Sequence, residues 1–111
     1  DVELHEENFA DAISAFEKVL KQDPDSFGTR INLGIALRKL GRPMDARKYL
    51  KDIIDLDPKN VAAQNNIGIA ETELNNLPAA RTAFQTALVV DPNYSDAHFN
   101  LGNVYWMEKK P

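Results

Sequence analysis

Residues 57–92, DPKNVAAQNNIGIAETELNNLPAARTAFQTALVVDP, open and close on the same dipeptide. Asp-Pro occurs once more at Asp23-Pro24, and the prolines Pro24, Pro58 and Pro92 follow one another at intervals of 34 residues. A fixed period of that size marks a chain built from repeats. Inside each unit two helical patterns follow one another. After Pro24, Phe27, Leu33, Leu37 and Leu40 recur on a period near 3.6. Gly41-Arg42-Pro43 interrupts the pattern, and Ala46, Leu50, Ile53 and Ile54 resume it. Each unit therefore reads as helix, turn, helix. Pro43 and Pro78 suit the first turn of a second helix, where a missing N–H costs nothing, and an aspartate before proline is biased out of the helical region, which stops that helix.

Aligned on the period, the first helices share Leu33-Gly34, Ile67-Gly68 and Leu101-Gly102, and the second share Ala12, Ala46 and Ala80, each followed four residues later by Phe16, Leu50 or Phe84. Glycine inside a helix costs about 1 kcal/mol against alanine, so its recurrence at one place predicts close approach of the paired helix. Arg30-x2-Leu33-Gly34-x2-Leu37, Gln64-x2-Ile67-Gly68-x2-Glu71 and His98-x2-Leu101-Gly102-x2-Tyr105 resemble the tetratricopeptide repeat pattern W-x2-L-G-x2-Y, A-x3-F, P. Arg30, Gln64 and His98 replace its tryptophan, and Glu71 replaces one tyrosine. The resemblance covers the whole chain and implies an all-α fold, an α-α superhelix of antiparallel helix pairs.

On this register we divide residues 1–111, a single array, into a partial repeat (1–24), two repeats (27–60 and 61–94) and the first helix of another (95–111). Residues 1–6 are expected to be the tail of a first helix, separate from a second helix over 9–21. The chain starts without methionine and inside a repeat, so we expect a fragment of a longer protein. Pro111 falls where Pro43 falls, and Leu101, Tyr105 and Trp106 are expected to lack part of their cover. End-to-end self-association through these residues is the consequence.

The 111 residues are 43% hydrophobic and 27% charged, with a net charge of −4. That is the composition of a soluble globular domain. Residues 1–26 carry 2 Lys/Arg against 8 Asp/Glu, whereas residues 27–60 carry 8 against 4. Such blocks suit either a solvated surface of mixed sign or the orientation of a charged partner. No apolar run is long enough to span a bilayer.

The absence of cysteine excludes disulfides and thiolate chemistry in this segment. The two histidines, His5 and His98, stand in different repeats without metal-ligand spacing and read as surface or packing residues. Asp23, Asp25, Asp55 and Asp57 lack the spacing of a calcium loop and read as turn residues near helix ends. Ser14, Ser26 and Ser95 have no histidine at suggestive spacing, and no glycine-rich phosphate loop is present. We expect no enzyme activity in this segment, no cofactor and no metal. Residues 27–60 are basic, but aromatic residues do not recur at groove positions, so nucleic acid is not the expected partner.

Asn32, Asn66 and Asn100 also keep the 34-residue period, one residue before Leu33, Ile67 and Leu101. At about 100° per residue each lies to one side of the packed face. The stripes through them are Gly28, Asn32, Ile35, Lys39; Ala62, Asn66, Ile69, Glu73; and Asp96, Asn100, Asn103, Met107. In tetratricopeptide arrays first helices line the concave groove, so the resemblance implies that these stripes stack there as a ladder. Amides donate to and accept from a peptide backbone, and Ile35 and Ile69 add apolar contact. The pattern is similar to that of the repeat superhelix of O-linked N-acetylglucosamine transferase, which holds peptide backbones with groove asparagines. Gly28, Ala62, Ile31 and Asn65 stand at most positions where a two-carboxylate clamp needs Lys or Arg. Arg38, Lys39 and Arg42 read as a charged helix end or as contacts for an acidic partner, and Trp106 as a core or end-contact residue.

The expected site is therefore Asn32, Asn66, Asn100, Ile35, Ile69, Asn103 and Lys39. The expected function is a protein interaction scaffold whose groove takes an extended peptide. Two alternatives stay open: a substrate-recognition arm of a larger enzyme such as a glycosyltransferase, and an assembly module joined through its helical ends.

Overall fold

The computed structural model describes the backbone of residues 2–110 and the side chains of residues 8–110, so His5 lies outside the described side chains. The described residues form helices α1 (Val2–Gln22), α2 (Phe27–Lys39), α3 (Pro43–Leu56), α4 (Val61–Glu73), α5 (Leu77–Val90) and α6 (Ser95–Lys109). Helices α2, α4 and α6 start 34 residues apart, as do α3 and α5. Pro43 opens α3, Pro78 is the second residue of α5, and α3 and α5 end immediately before Asp57 and Asp91.

Two kinds of turn alternate. Those between α2 and α3 and between α4 and α5 pass through left-handed residues, Gly41 at φ 85° and Asn75 at φ 62°. Both belong to the residue types that tolerate this region. Glu7 stands at the corresponding place in the first unit, 34 residues before Gly41. The expected break between residues 6 and 9 is absent: α1 runs unbroken from Val2 to Gln22. Phe9 and Ala10 stand where Pro43 and Pro78 stand in the later units, so no proline stops the right-handed helix there.

The other turns follow the Asp-Pro pairs. The N–H groups of Ser26, Asn60 and Tyr94 donate to the carbonyls of Asp23, Asp57 and Asp91 at 3.3, 3.1 and 3.1 Å. Ser26 and Asn60 then cap α2 and α4, accepting from the N–H groups of Thr29 and Ala63 through their side chains.

Each helix packs against the next in sequence. In addition α2 meets α4 and α4 meets α6, whereas the backbones of α3 and α5 do not come together. The even-numbered helices thus form a close inner layer and the odd-numbered ones a splayed outer layer, which curves the stack. The radius of gyration is 14.3 Å, against about 13 Å for a compact globule of this length, as suits a short solenoid. The core follows the stack in three buried clusters: Ile13, Leu20, Leu33, Ala36, Leu37 and Ala46; then Leu50, Ile53, Ala63, Ile67 and Ala83; then Ala80, Phe84, Ala87, Ala97, Leu101 and Val104. Each cluster is shared by neighbouring helices only, the arrangement of a repeat array.

The glycines explain the closeness of the pairs at two of three places. A Cβ on Gly34 would meet three Leu50 carbons at 3.0–3.1 Å, and one on Gly68 would lie 2.6 and 2.7 Å from Cζ and Cδ1 of Phe84. At Gly102 nothing lies within 4 Å.

Candidate functional site

The residues that replace the repeat's tryptophan share one role despite their different chemistry. Arg30 Nε donates to the Pro24 carbonyl at 2.9 Å, Gln64 Nε2 to the Pro58 carbonyl at 3.0 Å, and His98 Nε2 lies 2.7 Å from the Pro92 carbonyl. Each ties the first helix to the loop that precedes it, satisfying a carbonyl that the proline turn leaves free. All three inner helices are therefore tied to their preceding loops, and α2 and α4 are held by side-chain caps as well.

Along the inner layer the three asparagines are not equivalent. Asn32 is exposed, while Asn66 and Asn100 are half-buried. Asn66 Nδ2 donates to the Ala62 carbonyl of its own helix at 2.8 Å. Asn100 Nδ2 donates across to Asn65 Oδ1 on α4 at 3.2 Å. Asn65 is buried, so this bond fixes the orientation of Asn100 and leaves its Oδ1 available as an acceptor. Ile35 and Ile69 are half-buried, and Lys39 and Asn103 are exposed.

Ile69, Asn100 and Asn103 come together in one cavity of about 120 Å³, completed by Thr72 and Glu73 of α4, Phe84 of α5 and Arg38 of α2. Asn32, Ile35, Lys39 and Asn66 lie on the same layer outside it. Arg38 was legible as part of this cavity's wall, since it stands three residues after Ile35 on the same helical face, yet its charge at a helix end obscured that position. Its Nη1 is 3.6 Å from the Glu73 carboxylate, too far for a hydrogen bond. Its Nε is buried with no acceptor. Leaving such a donor unmade costs about 1–3 kcal/mol.

A larger cavity of about 340 Å³ opens between α3 and α4, lined by Arg47, Lys51, Ile54, Ile67 and Glu71. Glu71 stands where Leu37 and Tyr105 stand in the adjoining units, and its carboxylate accepts from Arg47 at 2.8 Å and from Asn76 Nδ2 at 3.3 Å. Much of the basic block is likewise paired within the molecule, Arg30 with Asp52 and Arg42 with Asp45.

At the α6 end Leu101 departs from the expectation. It is buried, 9% exposed, because its side chain faces α5 within the third core cluster. Tyr105 and Trp106 are 44% and 64% exposed and Phe99 is 71% exposed. The Tyr105 hydroxyl accepts from Gln85 Nε2, and Lys110 Nζ lies 4.9 Å from the Trp106 ring centre. Among the described residues no three His, Cys, Asp or Glu side chains group as a metal site, and no helix is long and apolar enough to cross a membrane.

Paired helices on a 34-residue period, with Leu-Gly or Ile-Gly at each inner crossing, agree with two family models: one described as tetratricopeptide repeat matches residues 3–67, and one described as TPR repeat matches residues 70–108. The chain belongs to the tetratricopeptide repeat family. Among solved structures, the repeat array resembles a crystal structure of MamA, with 36% identity and a TM-score of 0.82 over 90% of this chain and 58% of that one. MamA from Desulfovibrio magneticus RS-1 (41 to the end) gives 26% identity and a TM-score of 0.83, over 91% and 57% of the two chains. YrrB, described as a TPR protein with an unusual peptide-binding site, gives 27% and 0.80, over 93% and 53%. The first TPR of Spaghetti (RPAP3), bound to an HSP90 peptide, shares the fold at a TM-score of 0.87 and 20% identity, over 93% and 82%. The tetratricopeptide chain described here thus spans a little over half the length of MamA and YrrB. No curated protein matches its sequence.

Proposed function

We propose that this repeat array is a protein interaction scaffold whose inner face, built by α2, α4 and α6, binds an extended segment of a partner protein. The observation that carries the reading is the cavity on that face, where Ile69, Asn100 and Asn103 converge. Asn32, Asn66 and Asn100 supply amide groups along the path of the segment, Ile35 and Ile69 supply apolar contact, and Lys39 adds a positive charge at the end of α2. YrrB, with the same fold, is described as having a peptide-binding site. Replacing Asn32, Asn66 and Asn100 together by alanine leaves the helical circular dichroism signal intact and weakens a captured peptide at least about tenfold, the loss of two or three hydrogen bonds. Unchanged affinity rejects the groove.

A second reading rests on a separate observation. Phe99, Tyr105 and Trp106 are exposed on α6, and the Gly102 backbone beside them is uncovered. This face suits association of the array through its end, either with a second copy or with further helices. Sedimentation equilibrium detects self-association that Trp106→Ala abolishes; a monomer at all concentrations removes the self-association reading.

A further inference from the structure

We infer that the cavity of about 340 Å³ between α3 and α4 is a docking pocket for a tyrosine side chain of a partner protein. It is separate from the groove: Glu71 stands two residues beyond Ile69, about 200° around α4, on the side of that helix that faces α3. The repeat itself indicates the occupant. Glu71 and Tyr105 are equivalent residues, 34 apart, and so are Lys51 and Gln85, Ile54 and Leu88, and Ile67 and Leu101. In the α5–α6 pair this wall position carries Tyr105, whose hydroxyl reaches across to α5 and accepts from Gln85 Nε2 at 3.2 Å. In the α1–α2 pair it carries Leu37, buried in the first core cluster. In the α3–α4 pair it carries a carboxylate, which Arg47 Nη1 at 2.8 Å and Asn76 Nδ2 at 3.3 Å draw to themselves. Glu71 thus supplies no ring, and the space stays open.

The walls keep what a phenol needs. Ile54 and Ile67 line the cavity with apolar surface for the flat of a ring. Lys51 holds the place of Gln85 and makes no ion pair with a described residue. Its ammonium, on a flexible stem, can donate to a hydroxyl oxygen as the Gln85 amide does to Tyr105. Arg47 and Glu71 are matched to each other, so a neutral ligand leaves their pair intact. A carboxylate in the same place would reach Lys51 but stand beside the Glu71 carboxylate and set a charge against two isoleucines. An aliphatic side chain would cover the isoleucines and offer Lys51 no acceptor.

The test is an NMR titration of the intact chain, labelled at its isoleucine δ1 methyl groups, with N-acetyltyrosinamide and the corresponding amides of phenylalanine, leucine and glutamate. The tyrosine amide moves the Ile54 and Ile67 methyl signals in a saturable way, half-complete on the order of 1 mM, as suits a ligand of that size. Ile35 and Ile69, on the groove, stay in place. The phenylalanine amide binds about threefold to tenfold more weakly, the worth of one hydrogen bond, and Lys51→Met closes that gap. Glu71→Tyr, which restores the residue type of Tyr105 and fills the pocket from within, abolishes the response at Ile54 and Ile67. Circular dichroism checks that both variants keep the parent's helicity. No saturable response at Ile54 and Ile67, or one confined to Ile35 and Ile69, overturns the pocket and leaves the groove reading standing. A response that survives Glu71→Tyr also overturns it, as does binding of the leucine or glutamate amide as tight as that of tyrosine. Equal binding of the tyrosine and phenylalanine amides, or a gap that Lys51→Met leaves unchanged, refutes the part assigned to the hydroxyl and Lys51, and with it the choice of tyrosine.

Discussion

Gly34, Gly68 and Gly102 occupy one position of the repeat, yet their surroundings assign them different costs of substitution. An alanine at 68 drives its methyl into the fully buried Phe84 ring, which must shift to admit it. Overpacking of this kind costs about 1–3 kcal/mol, against which the helix gains up to about 1 kcal/mol. Gly68→Ala is therefore destabilising. Gly34→Ala meets Leu50 at the longer distances of 3.0–3.1 Å, which a shift of a few tenths of an ångström relieves, and falls near balance. Gly102→Ala meets nothing and stabilises by up to about 1 kcal/mol. Urea unfolding of the three variants checks the order, and equal effects at 34, 68 and 102 contradict it. The recurrence of Leu-Gly announced the close crossing, but which crossings are closed depends on the residue four turns of chain away that fills the gap. Leu50 and Phe84 do so here, and no residue does at Gly102. The same holds for Arg30, Gln64 and His98: their departure from tryptophan was visible in the sequence, whereas their common bond to a proline carbonyl became visible only with the loop in place.

At the scale of the helices, capping and burial decide the balance. Asn60 is half-buried and its Oδ1 accepts from the Ala63 N–H at 2.9 Å, so Asn60→Ala costs about 1 kcal/mol. The same substitution at Asn93, outside any cap, serves as the comparison in thermal unfolding. Tyr49 and Tyr94 join helices at partly buried positions. Burial, chiefly, raises the pKa of both hydroxyls, with Glu17 adding to the effect at Tyr49 and Asp96 and Asp91 at Tyr94. A hydroxyl whose folded pKa is raised stabilises the fold fully below the unfolded value of about 10 and loses that contribution as pH rises through the folded value. Stability therefore falls above about pH 10, and replacing both tyrosines by phenylalanine flattens the fall, as melting temperatures against pH will show. Helix boundaries were legible wherever a proline stood at the turn. They failed over residues 6–9, where Glu7 holds the place of Gly41 and the helix continues.

Across the whole molecule the period alone specified a stack of paired helices, because each unit buries its apolar stripe only against its neighbours. The inner layer follows from the same logic: α2 meets α4 and α4 meets α6, while the backbones of α3 and α5 stay apart. The positions of Asn66, Asn100, Ile69 and Asn103 on that layer could be read from spacing. The cavity that gathers three of them could not, since its walls come from α2, α4, α5 and α6 together. Leu101 was misplaced for a related reason: helical periodicity marks a face as apolar without saying which neighbour covers it. The most direct test of the groove is a peptide-array screen of the chain beside its Asn32, Asn66 and Asn100 triple alanine variant. The groove predicts peptides captured by the parent and lost, at least about tenfold, by the equally helical variant. Capture of the same peptides with the same strength by both would contradict it and turn attention to the aromatic end of α6.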